Sequence, residues 1–167
     1  MTQTFTFAPI GAMRTPYTET SQIPKGKGAE HTAEGVIEIR DDLEEGLADI
    51  DGFSHLFVIW VFHRQKDVVL TVTPPNDTRP HGVFATRAPV RPVPIGLTVV
   101  SLVRREGCRL FVRGVDMLDD TPVLDIKPYL SGVAAAGRIM GAAARTSQIV
   151  EPAPGAGAHD TAPSLFA

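Results

Sequence analysis

The sequence predicts an all-β domain, mainly antiparallel, that closes into a barrel or closed sheet. Its 167 residues include 15 Gly and 14 Pro, which favour many turns over long helices. Short runs rich in Val, Ile, Leu, Thr and Phe recur along the chain, as is typical of strands. The run HLFVIWVFH at His55–His63 is apolar on both faces, which predicts a strand at the centre of a packed β structure.

The individual elements follow from these runs in chain order. A short helix is predicted at Asp41–Leu47, DDLEEGL, because Asp can cap its N-terminus and acids fill its first turn. The predicted strands are Thr4–Phe7, Gly35–Ile39, His55–His63, Val68–Val72, Leu97–Val103, Leu110–Val115 and Pro122–Ile126.

Composition divides the chain into a domain at 1–131 and an extension at 132–167. The length fits one domain, and 43% hydrophobic with 21% charged residues is ordinary for a globular protein. From Gly132 onward Ala, Gly and Pro dominate, which predicts a weak helix followed by a flexible tail. The alternative is that contacts, for example with a second subunit, hold this tail in place.

Composition and charge also exclude several classes of protein. No apolar run is long enough to span a bilayer, and the N-terminus lacks the features of a secretory signal. The single cysteine, Cys108, cannot form an internal disulfide, which predicts a cytoplasmic protein. Because the net charge is −3, any nucleic-acid binding is expected to use a local basic patch.

Several common catalytic motifs are absent from the sequence. It contains no Walker loop and no G-x-S-x-G elbow, and its glycines form no dinucleotide fingerprint after a strand. His55 and His63 are eight residues apart, about 26 Å along a strand, which is too far for one metal ion. The sequence therefore predicts no metal site, and His55 is expected to be an ordinary buried or hydrogen-bonded histidine.

Two segments carry residues suited to binding. The three prolines within Gly82–Gly96 stiffen that segment, so Arg87 and Arg91 can present planar donor groups to an anion or a flat ring. The alternative is a structural corner whose arginines face water. The second segment, Gly114–Leu130, contains four Asp residues, which supply either a general base or solvated turn acids. Those acids are Asp116, Asp119, Asp120 and Asp125.

Arginines are concentrated in one half of this acidic chain. Arg109 and Arg113 have the same parity on a predicted strand, so both side chains are expected on one face. That face can bind phosphates, or it can be an ordinary solvated surface. Seven arginines of this half lie between residues 79 and 113, namely Arg79, Arg87, Arg91, Arg104, Arg105, Arg109 and Arg113.

Four motifs together resemble a known family. They are PIGAMRTPY at 9–17, GFSHLFVIWVFH at 52–63, GVFATRAPVRPVPIG at 82–96 and DMLDDTPVLDIKPY at 116–129. In this order they resemble the TrmO-type tRNA methyltransferases, also catalogued as YaeB or VirR-like proteins. The resemblance implies an S-adenosyl-L-methionine-dependent enzyme with a single-sheet β-barrel rather than a Rossmann fold. It further implies a homodimer with cofactor near the subunit interface, and methylation of N6 of threonylcarbamoyladenosine at position 37 in the tRNA anticodon loop.

The resemblance also implies site residues. Those implied to bind the cofactor are Lys27, Gly28, Ala29, His63, Arg64, Arg87, Leu97, Met117, Leu118, Asp119, Asp120 and Thr121. Asp125, Lys127 and Tyr129 match the family's D-I-K-P-Y signature and, with Asp119, form the predicted catalytic group. Either Asp125 or Asp119 is expected to accept the proton of the methylated nitrogen. The residues predicted to bind the substrate carboxylate or RNA phosphates are Arg91, Arg109, Arg113 and Lys127.

Two departures from the family pattern leave alternatives open. Val93 replaces the Asn of R-P-N-P-I-G, and Asp120 replaces the Gly of D-G-T-P. Asp tolerates a left-handed backbone better than most residues, so the turn is expected to survive. A different RNA or a small molecule is an alternative acceptor for the same cofactor. A second alternative is a β-barrel that binds a ligand and regulates without catalysis.

Overall fold

The structure is a computed structural model that describes residues 3–25, 29–75 and 77–130. Its strands, in chain order, are β1 (Gly11–Arg14), β2 (Glu34–Ile39), β3 (His55–Val61), β4 (Thr71–Val72), β5 (His81–Gly82), β6 (Ile95–Glu106), β7 (Arg109–Arg113) and β8 (Thr121–Pro128). Short 3-10 helices lie at Asp41–Leu47, Ile50–Gly52 and Val83–Ala85. Six strands close an antiparallel barrel in the order β1-β2-β7-β6-β3-β8, and β4 pairs with β5. The predicted antiparallel barrel is confirmed.

Alternate residues of the strands fill the interior of the barrel. On β3, Leu56, Val58 and Trp60 are buried, whereas Phe57 and Ile59 between them are half-buried on the outer face. This two-residue period is that of a strand with one face in a core. Further interior side chains from the other strands are Met13, Ile37, Ile39, Val100, Leu110, Val112 and Val123. Because side chains fill the interior, ligand sites are expected at the barrel ends or on its outer face.

Trp60 fits into the barrel because the strand beside it carries a glycine. Gly96 on β6 pairs with Trp60 on β3, and a Cβ atom at Gly96 would lie 2.3 Å from the indole ring. Glycine alone leaves room for the ring at that position. The ring of Phe62 lies against the indole with centroids 4.3 Å apart. Close packing therefore fixes the end of β3.

A β-bulge in β8 decides which face of the barrel carries Asp125. Ile59 pairs with Asp125 and Trp60 pairs with Val123, so Leu124 has no partner on β3. Val123 is fully buried in the core, and without the bulge Asp125, two residues later, would share its face. The extra residue instead places Asp125 on the outer face, opposite Ile59.

Five of the predicted strands and the short helical segment are confirmed in position. The strands β2, β3, β6, β7 and β8 overlap the predicted runs. The helical segment Asp41–Leu47 has the predicted bounds, but it is a 3-10 helix. Its N-cap is Arg40 rather than an Asp, and no side chain caps it.

The predicted strand Thr4–Phe7 is wrong. Phe5 and Phe7 are 69% and 68% exposed, and the segment pairs with no strand. The place between β2 and β8 is taken by Gly11–Arg14. This strand is hard to predict from the sequence, because it has only four residues and begins with a glycine. The same glycine allows its backbone to approach β2 closely.

A long excursion at 62–94 joins β3 to β6 and is here called the arm. The predicted strand Val68–Val72 is wrong over most of its length, because only Thr71–Val72 pairs, with the two-residue β5. Among the described residues of the arm, Val83 is the one buried apolar side chain. Its exposed apolar side chains are Val68, Val69, Leu70, Phe84 and Val93. The arm therefore leaves much apolar surface uncovered.

The predicted extension at 132–167, and with it the boundary at 131, lies outside the described residues. The division into a domain and an extension therefore stays a prediction. In the part of the chain that the structure describes, none of the helices has the length and apolar character needed to cross a membrane.

Candidate active site

One end of the barrel gathers many of the residues that were predicted to bind the cofactor. Here β3 ends and β8 begins, and His63 Nδ1 lies 3.4 Å from the hydroxyl oxygen of Thr121. Thr121 is buried, whereas His63 is exposed. We call this end of the barrel, with His63, Arg64 and the turn at 117–121, the rim.

The turn at the rim is fastened to the chain that follows β1. The Thr15 N–H donates to Asp119 Oδ1 at 3.1 Å, and the Thr15 hydroxyl donates to the Met117 carbonyl at 3.0 Å. The Asp119 N–H donates to the Tyr17 carbonyl at 2.7 Å. Because these bonds lie within one chain, the turn is preorganised before any ligand binds. They also use one oxygen of Asp119 to hold the turn.

Asp120 has a backbone conformation that usually favours glycine. Its φ of +60° lies in the left-handed region, which Asp tolerates better than most residues. Its N–H donates to the Met13 carbonyl at 2.9 Å, and its carboxylate accepts a bond from Arg14 at 3.0 Å. Arg14 also donates to Glu38 at 2.8 Å. The turn thus accommodates Asp in place of glycine, as expected from the sequence.

Arg64 is tied to the same stretch of chain as the turn. Its Nη1 donates to the Thr18 carbonyl at 2.8 Å, and the neighbouring Tyr17 carbonyl holds Asp119. The structure therefore joins Arg64 to the rim through residues 15–18, which no sequence motif had suggested. Leu118, in the same turn as Asp119, is 8% exposed.

Three predicted cofactor residues precede β2. Ala29 is half-buried, and Lys27 and Gly28 lie outside the described residues. Their contacts with the cofactor stay predictions.

Three other predicted site residues, Leu97, Asp125 and Lys127, lie on the outer face formed by β6, β3 and β8, and we call the part of this face around them the wall. Leu97 pairs with Ile59, and Ile59 pairs with Asp125, so these three residues form one row across the wall. The Arg87 guanidinium donates to the Leu97 carbonyl. The structure thus brings Arg87, Leu97 and Asp125 together, although they come from three separate motifs.

The predicted catalytic residues on the wall are engaged with one another. Lys127 Nζ lies 2.6 Å from Asp125 Oδ2, and Asp125 Oδ1 accepts the N–H of Ile126 at 2.9 Å. Both carboxylate oxygens of Asp125 therefore already have donors. The ring of Tyr129 packs edge-on against Phe57 with centroids 5.1 Å apart.

The rim and the wall are separated along β8. Thr121 begins this strand at the rim, and Lys127 follows six residues later on the wall, about 20 Å away at the rise of a strand. Asp125 is nearer to Thr121, about 13 Å by the same measure. The predicted cofactor-binding and catalytic residues of the barrel strands and the rim turn therefore form two groups.

Arg91 has a structural partner set within the arm. Its Nη2 donates to the carbonyls of Val83 and Thr86, both at 3.0 Å, and the side chain is half-buried. Arg91 thus stabilises the fold of the proline-rich segment. This favours the alternative that the segment is a structural corner. A contact between Arg91 and substrate stays a prediction.

The predicted basic face exists, but acids neutralise it. Arg109 and Arg113 are both exposed on the outer face of β7, which confirms their shared parity. Arg113 lies 2.8 Å from Glu34, and Arg109 lies 3.8 Å from Glu106. The adjacent Arg104 also pairs with Glu106, at 2.8 Å. RNA phosphates would have to compete with these carboxylates, so the RNA contact stays a prediction.

A cleft of about 330 Å³ opens beside this basic face. The Arg104 guanidinium covers the ring of Phe111 there, 3.5 Å from its centroid. The charged residues that line it, Arg14, Glu34 and Arg104, are each in an ion pair. Because the charges that line the cleft are paired, the cleft is not a basic pocket.

A buried chain of hydrogen bonds near the rim was not predicted from the sequence. Trp60 Nε1 donates to the Thr98 hydroxyl at 3.0 Å, and Thr98 donates to Asp116 Oδ1 at 2.6 Å. Asp116 directly precedes Met117, the first residue of the rim turn. The sequence had marked Asp116 as one of four nearby acids but gave no sign of its partners, which are distant in the chain.

His55 fits its predicted role as a hydrogen-bonded histidine. Its Nδ1 lies 3.0 Å from Ser54 Oγ, and its Nε2 lies 3.1 Å from Ser101 Oγ. Across the described ranges, no three His, Cys, Asp or Glu side chains are grouped so that they could hold a metal ion.

Comparison with known proteins decides the family. Residues 12–134 match the tRNA-methyltransferase O N-terminal domain. The chain belongs to this family. The TrmO-type family predicted from the four motifs is thereby confirmed.

Similar curated proteins carry related names. A probable S-adenosyl-L-methionine-binding protein of Pyrococcus abyssi is 48% identical over 124 residues, which cover 74% of this chain and 67% of that protein. An S-adenosyl-L-methionine-binding protein of Archaeoglobus fulgidus is 37% identical over 133 residues, 80% of this chain and 95% of that one. A mouse tRNA (adenine(37)-N6)-methyltransferase is 35% identical, with 74% of this chain and 30% of the mouse protein covered.

Solved structures of the TrmO family have the same fold. The crystal structure of TrmO from Pseudomonas aeruginosa superposes with a TM-score of 0.63 at 38% identity, covering 77% of this chain and 57% of that chain. A further crystal structure of TrmO superposes with a TM-score of 0.64 at 35% identity, covering 90% of this chain and 66% of that one. This chain therefore spans somewhat more than half the length of those solved proteins.

Proposed function

We propose that this chain is an S-adenosyl-L-methionine-dependent methyltransferase that methylates N6 of threonylcarbamoyladenosine at position 37 of tRNA. The match of residues 12–134 to the family carries the proposal. The names of the Archaeoglobus and Pyrococcus relatives support the cofactor. The name of the mouse relative supports adenine N6 at position 37 of a tRNA as the acceptor. Such a substrate also fits the predicted cytoplasmic location.

The rim is suited to hold the cofactor. Arg64 supplies a guanidinium for a carboxylate, and His63 and Thr121 supply hydrogen-bonding groups. Leu118, which keeps a small exposed area, can contact an adenine ring, whereas Met117 is buried in the core. When bound, S-adenosyl-L-methionine supplies a methyl group on a positively charged sulfur. The residues of the rim bind and orient the cofactor, and the preformed turn reduces the entropy lost on binding.

Alignment is the main catalytic task of this chain. Methyl transfer is an in-line displacement, and positioning two reactants in this way contributes about 7–11 kcal/mol in favourable cases. We assign the threonyl carboxylate of the substrate to Lys127, with Arg91 as the alternative. Lys127 is exposed and paired with Asp125. When substrate binds, its ammonium exchanges the Asp125 carboxylate for the threonyl carboxylate. Tyr129, packed on Phe57, offers a ring beside it.

A homodimer explains why the site residues form two groups. The wall and arm expose apolar side chains that one chain leaves uncovered, with Leu97, Phe84 and Val93 at 46%, 80% and 62% exposure. A stable interface buries about 800 Å² on each partner. We propose that the wall of one subunit faces the rim of the other. Arg87, Leu97 and the Asp125–Lys127 pair then complete the partner's site. Light scattering should report a dimer at micromolar concentration, and a monomer would contradict this arrangement.

The anticodon loop is the proposed partner nucleic acid. A single-stranded loop presents its bases without the full cost of opening a duplex. Arg109 and Arg113 are the proposed phosphate contacts, reached by displacing Glu106 and Glu34. If this is correct, the Arg109→Ala and Arg113→Ala double variant should bind tRNA with a flatter salt dependence, by about 0.7 in logarithmic slope per lost contact.

The function is tested with purified protein, methyl-labelled S-adenosyl-L-methionine and tRNA that carries threonylcarbamoyladenosine. Mass spectrometry of the digested nucleosides should show one added methyl group on that nucleoside. Unmodified tRNA, which contains plain adenosine at position 37, serves as the control. Label on the unmodified tRNA or on another nucleoside would contradict the proposed acceptor. Cofactor binding without transfer to RNA would instead support a regulatory or small-molecule role.

A further inference from the structure

We propose that Asp116 is a catalytic residue that accepts the proton released when the acceptor nitrogen is methylated, with Thr98 and Trp60 as its positioning residues. The inference rests on the proposed function and adds a residue to the same site. The carboxylates expected from the sequence to take this role were Asp119 and Asp125. The contacts in the structure favour Asp116 over both.

The chemistry of its partners fixes the direction of the hydrogen-bonded chain. The Trp60 indole N–H can only donate, so the Thr98 oxygen is its acceptor. The hydroxyl proton of Thr98 is then directed to Asp116 Oδ1, and the distance of 2.6 Å is typical of a hydroxyl bound to an ionised carboxylate. Trp60 and Thr98 are each 5% exposed. The carboxylate is therefore held by buried side chains that have few alternative conformations.

The three candidate carboxylates differ in what occupies their oxygens. Asp125 has Lys127 on one oxygen and a backbone N–H on the other. Asp119 uses one oxygen to hold the backbone of Thr15. Asp116 is bound on one oxygen by a neutral hydroxyl, and its other oxygen accepts no bond from the described residues. The Lys127 cation competes with an incoming proton at Asp125. Asp119 and Asp116 each have one oxygen that accepts no bond from the described residues, but Asp119 fastens the rim turn, whereas the buried Thr98 side chain orients Asp116.

Both ends of this series of hydrogen bonds are close in sequence to residues of the rim. Asp116 precedes the rim turn by one residue, and Trp60 precedes His63 by three. His63 is the other group at the rim that can accept a proton, but it is exposed and makes a single long contact with Thr121. Asp116 is half-buried and oriented, which suits a group that must meet one particular nitrogen.

The proposed step balances as follows. The lone pair of the acceptor nitrogen forms a bond to the methyl carbon while the carbon–sulfur bond breaks. The electrons of that broken bond return to sulfur, which becomes a neutral thioether. The proton on nitrogen passes to the second oxygen of Asp116, and the protonated carboxyl later releases it to water.

The main test compares methyl-transfer rate with cofactor affinity in Asp116→Asn. In single-turnover assays on modified tRNA, this variant should transfer methyl about 100-fold more slowly than wild type, the lower range for loss of a general base. Its affinity for S-adenosyl-L-methionine, by calorimetry, should stay within about threefold. Asp51→Asn, which changes an exposed carboxylate in the 3-10 helix Ile50–Gly52, is the matched control and should match wild type in both.

The positioning chain is tested at its middle residue. Thr98→Val keeps the shape of the side chain but removes the hydroxyl, so the transfer rate should fall about tenfold. It should also change the emission of Trp60, the single tryptophan of the chain. Thr98→Ser restores a hydroxyl and should recover both rate and emission. A purely structural role for Thr98 would change the melting temperature without this recovery of rate.

Several results would overturn the inference. A folded Asp116→Asn variant within about threefold of the wild-type rate excludes Asp116, while the proposed function stands. A larger loss in Asp119→Asn, Asp125→Asn or His63→Gln assigns the proton to that residue instead. If Asp116→Asn does not fold, the two variants at Thr98 decide. Equal transfer rates in wild type, Thr98→Val and Thr98→Ser exclude a role for the hydrogen bond from Thr98 to Asp116. A lower rate in Thr98→Val that recovers in Thr98→Ser supports that role. A wild type that transfers no methyl to tRNA overturns both the inference and the proposed function.

Discussion

The rim and the arm differ in how many contacts with the rest of the same chain hold them in place. At the rim, the turn at 117–121 is bound to residues 13–17 by several hydrogen bonds and rests on buried Met117. The arm, almost twice as long as any other connection in the barrel, buries Val83 and leaves Phe84 80% exposed. One half of the candidate site is thus complete within a single chain. The other half presents exposed apolar side chains, which a second subunit covers in the proposed dimer.

This difference separates what each region contributes. A preformed rim binds its ligand with little ordering cost, so changes there should act on folding or on cofactor affinity. An exposed wall and arm gain energy only when a second surface covers them, so changes there should act on assembly. The predictions below test this division, beginning with the largest expected effect.

Gly96→Ala should damage the rim most. The added Cβ would lie 2.3 Å from the Trp60 ring, and overpacking of this kind costs about 1–3 kcal/mol. Thermal unfolding should show a clearly lower melting temperature. Gly82→Ala in the arm is the matched control, because nothing lies within 4 Å of its added Cβ. Equal melting temperatures for the two variants would contradict the described packing around Trp60.

Leu97→Asp should break assembly while leaving the barrel folded. Leu97 is 46% exposed on the wall, so a charge costs little in the monomer but must be desolvated in a dimer interface. Dimer dissociation should become at least about tenfold easier, as expected for a buried apolar contact that is lost. Val103→Asp changes a 50% exposed residue of the same strand, outside the wall row, and should assemble normally. Two equally dimeric variants would show that the wall is not the interface.

Asp120→Gly should have a small effect on the rim. Glycine removes the ion pair with Arg14 but suits the backbone at φ +60°. Because exposed ion pairs contribute about 0–1 kcal/mol, the two effects nearly cancel, and stability by chemical denaturation should change by less than about 1 kcal/mol. Asp120→Val keeps neither the charge nor the tolerance of this conformation and should be clearly less stable. If the valine variant is as stable as the glycine variant, residue 120 does not need a left-handed backbone conformation.

The smallest effect is expected at the tip of the arm. The backbone N–H of Arg79, and then the His81 side chain, hold the pKa of Asp77 below its usual value. A depressed pKa means that the ionised carboxylate stabilises this turn above the usual Asp pKa, and that this contribution is lost as the pH falls through the lowered value. In His81→Ala, NMR titration should show the pKa of Asp77 rising only part of the way, because the Arg79 contact remains. A full return to the usual value would contradict that order of causes.

The sequence predicts the barrel better than it predicts the site. Runs such as His55–His63 carry the two-residue period or unbroken apolar character of strands, so most strands are found in the sequence. Gly11–Arg14 escapes because four residues are too few to show a period. The position of Asp125 on the outer face is not predicted either. A bulge changes which face the following residues occupy, and nothing in the sequence marks it.

The site residues were located by resemblance, and their grouping needed the structure. The sequence motifs place His63, Arg87 and Asp125 in one site. The structure divides them between the rim and the wall, since strand pairing over long separations determines which residues are neighbours. The hydrogen bonds from Trp60 to Thr98 and on to Asp116 span 38 and 18 residues. Contacts of that range leave no local pattern that a reading of the sequence can detect.

Subunit complementation tests most directly whether the rim of one chain works with the wall of another. Arg87→Ala removes an arm residue that is hydrogen-bonded to the wall, and His63→Ala removes a rim residue. Each variant alone should lose most methyl transfer to modified tRNA. When the two are mixed and allowed to exchange subunits, half of the dimers are mixed, and one of the two sites in each regains both native residues. The account predicts recovery to about a quarter of wild-type activity. A mixture no more active than the average of the two variants would show that each site is built from one chain and would contradict the account.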